Sequence, residues 1–441
     1  MFTTSKNANP NYLAKIVRLK GLKPHTNADR LQTVIIDYQT VITGLNAQEG
    51  DIYVYFPVES KINKDFLSFT NSFRDSNLNN DKDQVGFFEE NCRVRAMKLR
   101  GEKSEGYIVP INEIYRFLNN GTFYDLSTYI DTVDTYFDTV NDILLVEKYI
   151  PKGSKKQNTI KQGKQPKENR LIENQFRFHV DTEQLRKNIH KIKLSDNISI
   201  SYKLHGTSVI LSNVLVKRKL NWLEKICSKF LNIEKEEYDV IWASRKVIKN
   251  SSLINKEYNH YYNSDIWGIV AEEHGYKIPK GFTIYGEIVG FLPDGGAIQK
   301  MGKAFDYGCK ENQHELYVYR VTFTNKDGIV IELSSQQVEQ FCEKYNFKYP
   351  HIYYIGTYFD FIINTLRIPL SENGFKEEDI IRKMESLYNE KDCWMCTNKL
   401  PEEGIVLRVD RLDSFEAYKL KSFRFLMGES LQEEVDIETE N

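Results

Sequence analysis

Tyr202-Lys203-Leu204-His205-Gly206-Thr207-Ser208 is the stretch whose reading decides the fold. The residues from Ile198 to Leu204 read as a strand, and Gly206 with two hydroxyls makes a tight polar turn after it. A strand thus delivers a lysine into a turn. A lone Lys in such a place is ordinarily a solvated side chain, so the stretch gains meaning only from the order of the segments downstream of it. Ser244-Arg245 comes first, then Tyr285-Gly286-Glu287-Ile288-Val289-Gly290, and then Tyr317-Val318-Tyr319-Arg320-Val321. Glu402-Glu403-Gly404-Ile405-Val406 and Tyr418-Lys419-Leu420-Lys421 close the series.

Each element alone has a bland reading. An isolated Glu287 on a strand belongs on a solvent side, Glu403 beside Glu402 is an ordinary loop acid, and Lys419 and Lys421 alternate on one wet strand face. Together, in this order, the segments resemble the covalent nucleotidyltransferases: K-x-[D/H]-G, an Arg segment, G-E-x-x-G, an aromatic strand, E-G-[I/V]-V and K-x-K. The chemistry fits the residue types. Lys203 can bond AMP only as a free amine, whereas an ordinary lysine has a pKa of about 10.4. Nearby cations and a metal ion lower that value, and Lys419 and Lys421 would supply the cations and offset the triphosphate charge. Glu287 and Glu403 suit Mg2+ or Mn2+ through oxygen or bound water, or a ribose hydroxyl. Arg245 can clamp a phosphate, and Tyr319 or Phe323 can lie beside an adenine.

The whole chain resembles the ATP-dependent RNA ligases that carry an OB-type domain ahead of the nucleotidyltransferase domain. The likeness covers about residues 11–110 and 171–425. Arg93-Val94-Arg95-Ala96-Met97-Lys98-Leu99-Arg100-Gly101-Glu102-Lys103-Ser104-Glu105-Gly106 and Leu22-Lys23-Pro24-His25-Thr26-Asn27-Ala28-Asp29-Arg30-Leu31 look like the RNA-side module of that family. Phe176-Arg177-Phe178-His179-Val180-Asp181-Thr182 resembles the lead-in to its catalytic domain. The resemblance implies Lys203 as nucleophile and Arg245 on the phosphate side. It implies Glu287 at the ribose or the metal–water shell, Glu403 at the metal–water shell, and Lys419 and Lys421 on the nucleotide phosphates. His205 and Gly206 belong to the nucleotide-binding turn. Many members have Asp at the position of His205; a neutral imidazole cannot orient metal-bound waters as a carboxylate does, so a ribose or phosphate contact is the expected alternative. ATP and a divalent ion are the implied cofactors, and RNA 3′-OH and 5′-phosphate ends the implied partners. DNA ligases and mRNA capping guanylyltransferases share the core, but they resemble chains with an OB domain after K-x-K, and little sequence comes after Lys421. A non-catalytic OB-type RNA-binding protein is the other alternative, against which the intact Lys203 and Glu403 motifs count.

The resulting fold expectation is an α+β multidomain chain: an OB-like β-barrel at 1–110, a helical connection and basic linker at 111–170, and a nucleotidyltransferase domain with antiparallel sheets at 171–427. Five short strands are expected near Leu13–Leu19, Leu31–Ile36, Thr40–Thr43, Ile52–Phe56 and Arg93–Leu99, which suits a partly open barrel. The Asn-rich stretch Ser60–Asn80 reads as a loop, and 111–150 as mostly helical. Between Pro151 and Arg170 seven basic residues meet one acid, Glu168. Such a linker either keeps the chain soluble or touches RNA phosphates. Helical insertions are expected near 214–237 and 335–400. The tail 428–441 carries six acidic residues and no base and is expected to be disordered.

With 441 residues, 41% of them apolar, the chain can build more than one core, while a net charge of −2 by itself says nothing about nucleic acid. Six cysteines are scattered, and only Cys393-Trp394-Met395-Cys396 has a suggestive spacing. No second pair completes a zinc site, so reduced thiols are the expected state. Met1–Pro10 is polar and no run approaches the ~18 apolar residues of a membrane helix. A cytoplasmic monomer without a membrane partner is expected, in the host cytoplasm if the richness in Asn, Lys, Ile and Tyr reflects a viral source.

Overall fold

The computed structural model describes residues 1–119, 133–150, 170–227, 230, 233–250, 262, 264–372 and 374–438. The chain forms two compact units, Met1–Lys152 with Phe423–Asn441, and Gly153–Ser422. All but one of the basic residues expected in the linker, and residues 120–132 of the helical connection, lie outside the described residues.

In the first unit, a five-stranded sheet runs Tyr136–Phe137, Ala14–Arg18, Ile52–Pro57, Glu102–Pro110, Ala96–Leu99, antiparallel throughout. Strand side chains alternate between faces. Here both faces are apolar: Ile16, Val54, Phe56 and Val109 enter one core, and Val17, Tyr53, Tyr55 and Ile108 another. The second core is closed by the meander Lys23–Pro24, Leu31–Ile36, Gln39–Gly44. Ile42 N–H donates to Ser104 Oγ at 3.1 Å where the meander meets the sheet. Gly106, at φ +150°, lets Tyr55 pass under it, since a Cβ there would lie 2.3 Å from the Tyr55 ring. The two motifs quoted for this module meet. His25 Nε2 lies 3.0 Å from Leu99 O, Thr26 N–H donates to Glu102 at 2.9 Å, and Asn27 Nδ2 donates to Arg100 O at 3.0 Å.

Several expectations for this part are corrected. The Ser60–Asn80 stretch is ordered structure: strand Ser60–Ile62, helix Lys64–Phe69 and fully buried Phe66 and Phe73. Buried Asn79 replaces a strand partner there, accepting from Phe73 N–H and donating to Phe73 O and Gln84 O. Helix Ile111–Leu118 is as expected, but Tyr136–Phe137, Thr139–Val140, Ile143–Leu144 and Val146–Lys148 are strands. The acidic tail does not begin as a loose end. Helix Phe423–Glu438 belongs to this unit, because Phe423 and Leu426 bury themselves against Val58 and Ala96 and Glu429 lies 3.6 Å from buried Arg93. The second unit accordingly ends at Ser422 and not at 427.

The second unit holds two five-stranded sheets. One orders Glu183–Gln184, Glu416–Lys421, Gly404–Val409, Asn197–Tyr202, Ile352–Thr357; the other Glu236–Ala243, Thr207–Lys217, Phe282–Gly290, His314–Thr324, Val330–Glu332. Every pair is antiparallel except the short Glu183–Gln184 strand, which runs parallel to its neighbour. One face of the second sheet, with Val209, Leu211, Ile284, Ile288 and Val318, packs on helices Ile266–His274 and Ser335–Tyr345. Among the described residues, the expected insertion at 214–237 is helical only at Trp222–Cys227, and its first four residues end the eleven-residue strand Thr207–Lys217. Its apolar residues fall on both faces, a pattern that a doubly covered strand shares with a helix. Arg170 is an anchor rather than linker, donating to Lys217 O at 2.8 Å and pairing with Asp239 at 3.0 Å. The 335–400 region holds the helices Ser335–Tyr345 and Glu377–Tyr388, but also the strand Ile352–Thr357, which extends the Lys203 sheet.

Candidate active site

Lys203 to Gly206 is the crossing between the two sheets: strand Asn197–Tyr202 lies in one and strand Thr207–Lys217 in the other. Register then does the assembling. Tyr202 pairs with Ile405, Lys203 N–H donates to Gly404 O at 2.9 Å, and Gly404 pairs with Lys421. On the far side of the turn, Ser208 pairs with Glu287. One end of each sheet therefore delivers its carboxylate to the same turn.

Gly206 makes this approach possible. A Cβ there would stand 2.2 Å from Ile288 O and 2.8 Å from Glu287 Cγ. Gly206 N–H donates to Glu287 Oε1 at 3.2 Å, and Ser208 Oγ donates to Oε2 at 3.4 Å. Gly286 is required too, since its Cβ would meet Tyr317 O at 2.8 Å. A bulge between Tyr285 and Gly286 brings Tyr319 to the same face, with its hydroxyl 3.4 Å from Ser208 Oγ.

The charges close up tightly. Lys203 Nζ lies 2.8 Å from Glu403 Oε1, and Lys421 Nζ lies 3.8 Å from the same oxygen. His205 Nδ1 stands 3.7 Å from Glu403 Oε2. Burial pushes the Glu403 carboxyl up, but Lys203, Lys421 and His205 together hold it below the usual value. Burial pushes Glu287 up to about 7, partly opposed by Lys203, with Glu403 adding to the rise. His205 is held down at about 4 by burial first; Glu403 opposes that and the two lysines reinforce it. The imidazole is thus neutral near pH 7.

Lys203, His205, Gly206, Glu287, Tyr319, Glu403 and Lys421 form one constellation. Lys419 lies two residues before Lys421 on the same strand face, paired with Val406. Arg245 stands further out. Its guanidinium is held by Asp181 of the lead-in segment at 2.6 Å, although its charge still reaches Glu287. Phe323 is not at the site; its ring packs on Phe282, 5.2 Å away, toward the other end of its strand.

Sequence reading missed the groups that grip the turn from outside. Tyr307 OH accepts from His205 N–H at 2.7 Å, Phe305 meets the His205 ring edge-on at 4.9 Å, and Gln299 donates to Gly206 O at 2.9 Å. Trp267 Nε1–H donates to Ser208 O at 2.9 Å. Behind Tyr319, His179 lies 5.3 Å from its ring and 3.4 Å from an Arg320 nitrogen. The Phe305-Asp306-Tyr307-Gly308 cluster was the available signal, since Asp and Gly mark a turn and two aromatics within it can pack.

Among the described residues, no group of three or more His, Cys, Asp or Glu is arranged to hold a metal ion. No described helix is long and apolar enough to cross a membrane.

Comparison with curated proteins finds no match. Among solved structures, a Naegleria gruberi RNA ligase variant without ligand shares 16% identity at a TM-score of 0.54, covering 95% of this chain and 98% of that one. A second Naegleria gruberi RNA ligase variant, with ATP and Mn, shares 14% at 0.52, with the same coverage of 95% and 98%. The Naegleria gruberi RNA ligase with PPi shares 16% at 0.52, covering 94% and 98%. These likenesses concern the fold. An OB-fold domain model matches residues 13–111, and the RNA ligase model matches residues 196–423, from just before the Lys203 strand to just past Lys421. That second match spans more than half of the chain, which belongs to the RNA ligase family.

Proposed function

We propose that the protein is an ATP-dependent RNA ligase that joins 3′-OH and 5′-phosphate RNA ends through a lysyl-AMP and an RNA-adenylate. The observation that carries the reading is the convergence of Lys203, Glu403 and Lys421 with Glu287 across one turn. Lys203 Nζ, as the free amine, attacks the α-phosphorus of ATP; a phosphorus–nitrogen bond forms and pyrophosphate leaves. An RNA 5′-phosphate oxygen then takes the AMP and frees Lys203. A 3′-hydroxyl finally attacks that 5′-phosphorus and AMP departs.

The roles derive from position. Glu403 holds Lys203 in place, and incoming phosphate competes for both lysines. Lys419 and Lys421 meet the phosphates as charge develops on the leaving group. Glu287 accepts from a ribose hydroxyl or a metal-bound water. Neutral His205, held by Tyr307 through its backbone, meets ribose or phosphate as a hydrogen-bond partner. Arg245 reaches a phosphate by exchanging Asp181 for it.

A divalent ion fits the carboxylates on one specific ground. Glu403 Oε2 is buried and finds no hydrogen-bond partner among the described residues, an oxygen left over for a cation or its water. Mg2+ or Mn2+ would be held by Glu403 and Glu287 through water, with nucleotide oxygens completing the shell, and would offset the charge of the departing pyrophosphate. Relatives with ATP and Mn, with AMP and Mn, and with PPi support this choice of nucleotide and metal. One chain carries every group named, so a monomer suffices.

The test is covalent labelling. Protein mixed with α-labelled ATP and Mg2+ or Mn2+ takes up label that survives denaturation, and Lys203→Ala takes none. Labelling by GTP in place of ATP would move the reading to a capping enzyme. Absence of label with every nucleotide and metal, in protein whose intact mass shows no AMP already bound, would leave an OB-type RNA-binding protein.

A further inference from the structure

Cys393 and Cys396 are the one sequence motif that the ligation chemistry leaves unused. Their sulfurs lie 3.1 Å apart, in hydrogen-bond contact. Both are free thiols; Cys393 is buried and Cys396 half-buried. The spacing alone says little. What the pair touches says more.

Cys393 lies beside the hydroxyl of Tyr202, the residue immediately before Lys203. Cys396 lies near the backbone N–H of Tyr307, whose own hydroxyl accepts from His205 N–H at 2.7 Å. Tyr307 is held at φ +46°, an uncommon conformation for a bulky residue, so its position is imposed by these contacts. Asp306 staples the two segments together. It accepts from Thr397 N–H at 3.0 Å and Thr397 Oγ1 at 2.7 Å, and from Asn398 Nδ2 at 3.1 Å. The dithiol loop also leads directly into Glu403. Two routes therefore run from the sulfurs to the reacting lysine, one through Tyr202 and one through Tyr307 and His205.

We propose that Cys393 and Cys396 are a reversible disulfide-forming pair whose oxidation displaces the Lys203 turn and suppresses adenylation. The consequence for activity rests on the reading of Lys203 as the residue that takes AMP; the disulfide itself does not.

The chemistry needs a small disulfide oxidant, such as oxidised glutathione. Cys396, the more exposed thiol, passes its proton to the Cys393 sulfur 3.1 Å away and attacks the oxidant, and one glutathione leaves. The Cys393 thiolate then attacks the Cys396 sulfur, the second glutathione leaves, and the two thiol protons end on the two glutathiones. The local charges favour the closing attack by Cys393. The pair shares one proton, so the hydrogen bond from Cys396, outweighing burial, holds Cys393 down at about 7 while its partner is pushed up. Closing the bond draws the sulfurs from 3.1 Å to about 2.0 Å and shifts Cys396 relative to the neighbouring Tyr307 backbone. Ångström-scale displacement of a nucleophile costs adenylation about tenfold or more.

The experiment treats the full chain with oxidised glutathione and then with dithiothreitol. Peptide mapping places any disulfide, α-labelled ATP reports adenylation, and hydrogen exchange reports the 203–208 turn. The expected result is a 393–396 disulfide, labelling reduced about tenfold or more with faster exchange at the turn, and recovery on reduction. Cys396→Ser should label at the reduced chain's rate and ignore the oxidant. Exclusive reaction of exposed Cys227 would overturn the proposal, as would a 393–396 disulfide that leaves labelling and exchange unchanged. A reduced chain that takes no label would instead sink the ligase reading, and turn exchange would still decide this one.

Discussion

Glu403 Oε1 is 2.8 Å from Lys203 Nζ, and the second oxygen of the same buried carboxylate finds no hydrogen-bond partner among the described residues. The free enzyme therefore keeps its nucleophile paired with a carboxylate. Triphosphate entry must loosen that pair before the amine can react.

Glu403→Gln tests this. The amide keeps size and one acceptor but leaves Lys203 and Lys421 sharing no charge. Lysyl-AMP formation should fall by about a hundredfold, the order seen when one charge-stabilising group is removed. Circular dichroism should show a folded chain. Wild-type labelling rates in the variant would mean that Glu403 only serves the packing.

Gly404 is a harder constraint. It sits at φ +132°, and a Cβ there would stand 2.1 Å from Leu420 O on the neighbouring strand. Its carbonyl also accepts from Lys203 N–H. Gly404→Ala cannot relieve a clash with backbone by turning a side chain. It should cost about 2–4 kcal/mol in urea unfolding and lower labelling by moving Lys203, Glu403 and Lys421 together.

The legibility of this chain depends on the physical origin of each signal. Glu403, Gly404 and Lys421 stand out because strand register brings them to Lys203, and register leaves fixed spacings along the chain. Glu287 stands out for the same reason through Ser208. Strand Thr207–Lys217 is only partly legible because it is covered on both faces, so its alternation is lost. Helix Phe423–Glu438 is hidden by the acids after Gly428, although Phe423 and Leu426 just before them supply the anchor. Tyr307 and Gln299 act through contacts across about a hundred residues, which no local pattern records.

Buried Glu332 carries more charge balance than its position at a short edge strand suggests. It takes both arms of Arg320, at 2.8 and 2.9 Å, and lies 3.4 Å from Arg408. Arg320 in turn stacks between Tyr285 and Phe415, at 4.2 and 4.4 Å from their centres. Glu332→Ala strands two guanidiniums in a poorly hydrated place and should cost about 3–5 kcal/mol of stability. Denaturant titration measures it; a loss below about 1 kcal/mol would mean that water replaces the carboxylate.

Acid should weaken this same corner. His179 is pushed down to about 3 from 6.5 by burial first, then by Arg320 and Arg245, with Asp181 opposing. A depressed histidine favours the neutral ring in the folded chain, so between those two values the unfolded chain binds more protons. Stability is then full above pH 6.5 and falls as pH drops toward 3. This one group should remove about 3 kcal/mol between pH 7 and pH 4, and half-buried His205, held at about 4, acts in the same sense. His179→Gln keeps an acceptor near Arg320 but cannot titrate. Urea unfolding of both proteins across that range should show the variant losing about 3 kcal/mol less than the wild type. Parallel curves would show that water reaches His179 and lets it charge without cost.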